Sequence, residues 1–402
     1  MKTITLIASI LCLNLASFCQ TWTPLNSGTA NHLLGISVVD ANTVYVCGSA
    51  GTILKTTDGG INWTSQTSGS LKSLYAICFT DLMNGIALGD TGTFLRTTDG
   101  GATWNSLSVS NVVSFRNVYF LDPNIGYCVG GINGTSGYIY MTNDGGATWN
   151  PQTVTSNSGI YGLKFTSLTD GYCTNYQGIV YRTIDAGTTW NPISSGTTNI
   201  ISDLYFLDPA NGFGVGANGT IRRTNDNGNT WNAIQSGNTD YLTGITFTDA
   251  SNGFIIGGNI TNNTGRILNT TDGGITWNNV PIGCPRLYRL EFANSTGYIV
   301  GLNGTILKYA TTAAIAENAD SKVLSVYPNP AKDFLTVSLK DKNMKGGKIN
   351  IFNIQGGLVY HDELSSINET ITVETSSLQS GMYTLQISDD EKIFFTKFSK
   401  ID

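Results

Sequence analysis

Residues 97–104 read Thr-Thr-Asp-Gly-Gly-Ala-Thr-Trp, and variants of this text return along the chain. They stand as TTDGGINW at 56–63, TNDGGATW at 142–149, TIDAGTTW at 183–190, TNDNGNTW at 224–231 and TTDGGITW at 270–277. The seven tryptophans keep the same beat: Trp22, Trp63, Trp104, Trp149, Trp190, Trp231 and Trp277 follow one another at intervals of 41, 41, 45, 41, 41 and 46 residues. Around residues 97–104 the text alternates like strands. Leu74–Thr80 comes first, then Asn84–Leu88, Gly92–Thr97 and Thr103–Leu107, each β-branched or aromatic and bounded by turn residues. Four short strands repeated at this period make the blades of a β-propeller.

The repeated turn has a mechanical reading. The carboxylates of Asp58, Asp99, Asp144, Asp185, Asp226 and Asp272 are placed to accept backbone N–H groups, glycine supplies positive φ, and the tryptophan ring is buried between strands. The motif resembles the Asp-box, or bacterial neuraminidase repeat, S/T-x-D-x-G-x-T-W. Because the aspartate recurs in blade after blade, it reads as scaffold rather than as catalytic group or calcium ligand.

The ends of the repeat show how the ring closes. The seventh unit starts at Trp277, runs through Leu287–Phe292 and Gly297–Val300, and ends at Gly304–Tyr309 without an Asp-box or a fourth strand. Thr21-Trp22-Thr23-Pro24-Leu25 matches the fourth-strand text Thr189-Trp190-Asn191-Pro192-Ile193. The N-terminal strand is therefore expected to complete blade seven and remove the open edge. The fold class is all-β: a seven-bladed propeller over residues 20–309, a linker over 310–322, and a small second domain over 323–402.

Met1–Cys19 has the layout of a secretory signal peptide, with Lys2, an apolar core over Ile4–Leu15 and small residues before Gln20. Acylation of Cys19 is the second choice, because Phe18 is too large for that motif. No later stretch is apolar for long enough to span a bilayer as a helix. The net charge of −6 and only 12% charged residues argue against a nucleic-acid partner. Five cysteines follow the leader (Cys47, Cys78, Cys128, Cys173, Cys284). With two histidines in the chain they offer no zinc ligand set, and no cofactor motif is present. A Cys128–Cys173 bridge between neighbouring blades is conceivable; buried free thiols are the simpler expectation.

The last 80 residues change in composition and open on Val326-Tyr327-Pro328-Asn329-Pro330-Ala331. IFNIQGGLVY, Gly381-Met382-Tyr383-Thr384-Leu385 and the basic, aromatic FFTKFSK follow. This segment resembles the type A C-terminal sorting domain of the type IX secretion system. The resemblance implies an immunoglobulin-like β-sandwich, Tyr327, Pro328, Asn329, Pro330, Gly381 and Tyr383 as its motif residues, an outer-membrane translocon as partner, and a final location outside the cell.

Function is expected on one face of the ring. The crossings between blades carry His32, Lys72, Tyr75, Arg116, Tyr161, Tyr241, Arg286, Tyr288 and Arg289. Tyrosine and arginine suit stacking on sugars or anchoring a protein. The two long intervals insert residues on that face, around Ile132–Ser136 and Asn259–Thr264. The whole unit resembles propellers of the photosystem II assembly-factor type, which implies a binding scaffold rather than an enzyme. The alternative is a glycoside hydrolase, since sialidases and xyloglucan hydrolases carry Asp-boxes. Such enzymes generally need two positioned carboxyl groups or a tyrosine nucleophile, and Glu291 is the only glutamate between Gln20 and Ala316. Strict strand alternation would turn Arg289 and Glu291 away from Tyr288. The expected function is an exported, non-enzymatic propeller that binds a protein or glycan.

Overall fold

The structure, a computed structural model, describes residues 21–109, 113–132, 135–293, 295–310, 324–339, 347–353, 358–364, 370–388 and 393–401. The leader and nearly all of the linker lie outside these. Two compact units divide the chain, Gln20–Thr311 and a second one built from the C-terminal residues.

The first unit holds seven four-stranded antiparallel sheets. In blade one the strands are Leu33–Val38, Val44–Gly48, Ile53–Thr56 and Thr64–Gln66, counted from the axis outward. The innermost strands of the other blades are Leu74–Phe79, Ser114–Phe120, Ile160–Phe165, Ile201–Phe206, Tyr241–Phe247 and Leu287–Ala293. Each packs on the next, and the seventh returns to the first. Closure is as expected. Thr21–Leu25 pairs antiparallel with Ile306–Ala310, with Trp22 opposite Tyr309.

The hydrophobic cores lie between blades, where one sheet packs face to face on the next. One cluster joins Leu33, Val44 and Val46 of blade one to Tyr298, Val300 and Ile306 of blade seven. Trp22 packs edge-on against Phe254 and Phe292 at 5.5 and 5.9 Å, so the closing strand also anchors blade six. All five cysteines are free, and Cys128 and Cys173 belong to different inter-blade clusters, which keeps their thiols apart.

The Asp-box works as its chemistry predicts. Thr97 Oγ1 and the Thr103 N–H donate to Asp99 Oδ1 at 2.8 and 2.9 Å, while Thr103 Oγ1 donates to Oδ2 at 2.6 Å. Gly100 and Gly101 take φ of 67° and 82°, which a side chain would resist. The box is also a joint between blades: the Tyr45 hydroxyl of blade one donates to the Gly100 carbonyl of blade two at 3.0 Å.

In the second unit a three-stranded sheet (Leu324–Tyr327, Phe334–Leu339, Thr370–Glu374) and a four-stranded sheet (Leu358–Leu364, Gly347–Phe352, Gly381–Ser388, Ile393–Lys400) share one buried cluster. Leu335, Val337 and Val373 of the first sheet meet Ile349, Leu385, Ile387 and Phe398 of the second. Of the motif residues, Asn329 accepts the Ser399 N–H at 2.9 Å and Tyr383 donates to the Gln379 carbonyl at 2.7 Å. The turn in IFNIQGGLVY, 354–357, lies outside the described residues.

Candidate binding site at the channel mouth

Every innermost strand carries a β-bulge near its start. In blade one the register jumps between Leu33 and Gly35, and a jump at the same place recurs in every blade, spanning one residue except in blade four, where it runs from Ile160 to Leu163. A bulge leaves one residue out of the ladder and re-aims its side chain. The residues so placed are Leu34, Tyr75, Arg116, Tyr161, Ser202, Thr243 and Tyr288, and all seven line one cavity of 330 Å³. Seven copies of one local distortion thus build the mouth of the channel.

Four further residues complete the lining: Tyr241, Ile260, Arg286 and Arg289. Seven of the nine residues expected on this face therefore come together. His32 and Lys72 do not line the cavity; they are exposed in the crossings, where His32 Nδ1 accepts the Asn303 N–H at 3.2 Å and the Lys72 carbonyl accepts the Gly51 N–H at 2.8 Å. Tyr288 departs from strict alternation. Because the seventh strand bulges between Leu287 and Arg289, Tyr288 and Arg289 both face the mouth.

Among the described residues the lining is cationic and aromatic, with three arginines, four tyrosines and no carboxylate. The Arg116 guanidinium lies over the Tyr75 ring at 4.1 Å and the Tyr161 ring at 5.7 Å. Tyr75 donates its hydroxyl to Asp90 Oδ2 at 2.9 Å, and burial followed by this bond raises its pKa. Arg286 Nη2 donates to the Tyr288 hydroxyl at 2.6 Å, while its buried Nε has no partner among the described residues. The blade-six insertion supports this arginine directly: the Asn263 carbonyl accepts the Arg286 N–H at 2.9 Å, and Ile260 adds an apolar wall. None of the described residues of the blade-three insertion lines the cavity; 133 and 134 lie outside the described residues.

Below the mouth the channel widens into a second cavity of 490 Å³. Three residues further along each strand, a ring of Ser37, Cys78, Tyr119, Lys164, Tyr205, Thr246 and Glu291 lines it, joined by Asn117, Asp203 and Arg289. Burial pushes the Glu291 carboxyl up to about 7, opposed by a Val38 backbone N–H and the Lys164 charge. Asp203 is raised by burial as well, against Arg289, the Ile245 N–H and Lys164. The selection by residue type missed Asp203, although it is an aspartate outside the turns, on an inner strand. Among the described residues no three of His, Cys, Asp and Glu gather as a metal ligand set.

Residues 325–400 match the family model for the secretion system C-terminal sorting domain, and residues 15–111 match that for the photosynthesis system II assembly factor YCF48. The chain is a BNR-like propeller with a type IX secretion sorting tail. Its address is therefore the cell surface or the medium beyond it, and no helix among the described residues is long and apolar enough to cross a membrane. No curated protein matches the chain in sequence. Among solved structures it resembles YCF48 bound to D1 peptide, with 21% identity and TM-score 0.61 over 72% of this chain and 96% of that one. It also resembles PorZ, an essential bacterial surface component of the type IX secretion system of Porphyromonas gingivalis (15% identity, TM-score 0.53). That match covers 91% of this propeller-and-tail chain and 59% of PorZ. The GH74 xyloglucanase of Xanthomonas campestris is similar at 11% identity and TM-score 0.59, over 94% of this chain and 68% of the enzyme. At these identities the likeness is one of fold.

Proposed function

We propose that the propeller is a non-enzymatic binding module that holds an anionic, extended ligand, a protein segment or an acidic glycan, at the channel mouth outside the cell. The observation that carries this reading is the mouth itself: Arg116, Arg286 and Arg289 line one cavity with four tyrosines and no carboxylate. Guanidinium forks recognise carboxylates, and tyrosine faces add contact area at low entropic cost. YCF48, of similar fold, has been captured with a peptide; that precedent fits a protein segment.

The test is fluorescence anisotropy of the whole protein with labelled hexaglutamate, hexalysine, a polyuronate and a neutral glucan. The acidic probes should bind saturably, and Arg116→Ala with Arg286→Ala should weaken them at least about tenfold. Equal retention of hexalysine or the neutral glucan would sink the reading.

A glycoside hydrolase remains the second reading, favoured by one observation: Glu291 and Asp203 both line the channel, with both carboxyls raised by burial. Release of reducing sugar from a polysaccharide panel, abolished by Glu291→Gln, would replace the binding reading with this one.

A further inference from the structure

Charged side chains are scarce in this propeller, yet four converge on its axis. Lys164, Asp203, Arg289 and Glu291 all line the cavity of 490 Å³ below the mouth. Burial of a charge is costly unless it is paired. No ion pair within 4.0 Å joins any two of the four, although every one of them is a described residue. Instead each is steadied from its own side. Lys164 Nζ sits over the rings of Tyr119 and Tyr205 at 4.8 and 5.8 Å. Asp203 accepts the Leu204 and Ile245 N–H groups at 3.0 and 3.1 Å, one on each oxygen. Arg289 Nη1 donates to the Thr243 carbonyl at 3.0 Å.

The blade order sets the geometry. Lys164 belongs to blade four and Glu291 to blade seven, so they stand across the axis from one another in a ring of seven. Asp203 in blade five and Arg289 in blade seven are held two blades apart, one step nearer the mouth on each strand. The lumen thus sets a cation across from a carboxyl twice, Lys164 from Glu291 and Arg289 from Asp203, each with hydrogen-bonding capacity to spare. A rigid ring keeps them from collapsing into pairs, and a cavity of this volume lies within the range of small-molecule sites.

We propose that this inner cavity is a second binding site, for a small linear zwitterion of the amino-acid or short-peptide class. The ligand spans the lumen, its carboxylate taken by Lys164 and its ammonium by Glu291 on the opposite side, with Arg289 and Asp203 flanking it. Such a ligand gives Lys164 and Glu291 a counter-charge at one stroke. An anion or a cation alone leaves one of the two unmatched. Arg289 lines both cavities, whereas Arg116 and Arg286 line the mouth alone, so varying those two tests the mouth by itself.

Isothermal titration calorimetry of the whole protein tests this at about pH 8, above the Glu291 value of about 7. The probes are glycine, 4-aminobutyrate, 6-aminohexanoate and triglycine, beside hexanoate and hexylamine as single-charge controls. At least one zwitterion should bind saturably and at least about tenfold more tightly than either control. Glu291→Gln should weaken that zwitterion about tenfold and leave hexanoate within about twofold. Lys164→Met should weaken both, and circular dichroism melts establish that the variants are folded. The double variant Arg116→Ala, Arg286→Ala should keep zwitterion affinity whatever it does to acidic probes, so this site and the mouth fail separately. Absence of binding by every zwitterion, or hexanoate binding as tightly as the best of them, would overturn the proposal.

Discussion

The Arg116 guanidinium stacks on the Tyr75 ring at 4.1 Å, and Tyr75 is itself pinned by its hydroxyl to Asp90. Asp90 Oδ1 also accepts the Ser114 hydroxyl at 2.8 Å, so a carboxylate outside the cavity orients the aromatic platform under the cation. The pair predicts a graded response in hexaglutamate binding. Tyr75→Phe keeps the ring and should stay within about threefold of wild type, whereas Tyr75→Ala should lose about threefold to thirtyfold, the range of a cation–π contact. Anisotropy titrations distinguish the two.

The Glu291 carboxyl sets a pH dependence of stability. Its pKa rises from 4.5 to about 7 on folding, so folding favours the protonated form. Its effect is absent below pH 4.5, grows as destabilisation between pH 4.5 and 7, and is constant above. The rise corresponds to at most about 3 kcal/mol, and the open channel screens part of that. Glu291→Gln should therefore melt with wild type at pH 4 and above it at pH 8, by differential scanning calorimetry. An equal offset at both pH values would contradict the assignment.

The Asp-box carboxylates act in the opposite sense. Hydrogen bonds from Thr103 and Thr97 hold Asp99 at about 2, below its ordinary 3.8, and those from Thr276 and Thr270 do the same for Asp272. A lowered pKa stabilises the fold above pH 3.8, and that contribution is lost as pH falls toward 2. Acid titration followed by tryptophan fluorescence should show a steep transition in this window. Asp99→Asn should flatten it and lower the melting temperature at pH 7.

Thr91 occupies the left-handed region at φ 51°, where the equivalent residues of blades five and seven are Asn218 and Asn303. A β-branched residue is strained there and asparagine is not. Thr91→Asn should stabilise the protein by about 1 kcal/mol, read as a higher urea midpoint at unchanged slope.

Trp22 is 8% exposed and packs on Phe254, Phe292 and Tyr309. Trp22→Ala should cost about 3–5 kcal/mol. Hydrogen exchange should rise first in Ile306–Ala310, the strand it clasps.

Much of this was legible because the repeat overdetermines it. Six Asp-box turns and seven evenly spaced tryptophans mark where each blade ends, and the text shared by Trp22 and Trp190 announces the closing strand. The mouth was only half visible. Choosing aromatic and cationic residues found Tyr75, Arg116 and Tyr288, but passed over Leu34, Ser202 and Thr243, which share their place in the repeat. Alignment on the tryptophan period would have supplied them. The bulge was invisible to simple alternation, since one extra residue reverses the facing of all that follows on a strand. Hence Arg289 faces the mouth beside Tyr288, and Asp203, one residue beyond a bulged serine, enters the channel.

The pairing of Thr21–Leu25 with Ile306–Ala310 has a consequence for how the protein is born. The hydroxyl of Thr23 waits for the carbonyl of Lys308, a partner 285 positions further along the chain. Contacts so distant in sequence form late. A chain interrupted anywhere before the last strand leaves its first strand without a mate and its final blade with a bare edge. The ring is thus a built-in test of length: only a chain delivered through Ala310 can lock, and the sorting tail comes after the lock in the chain.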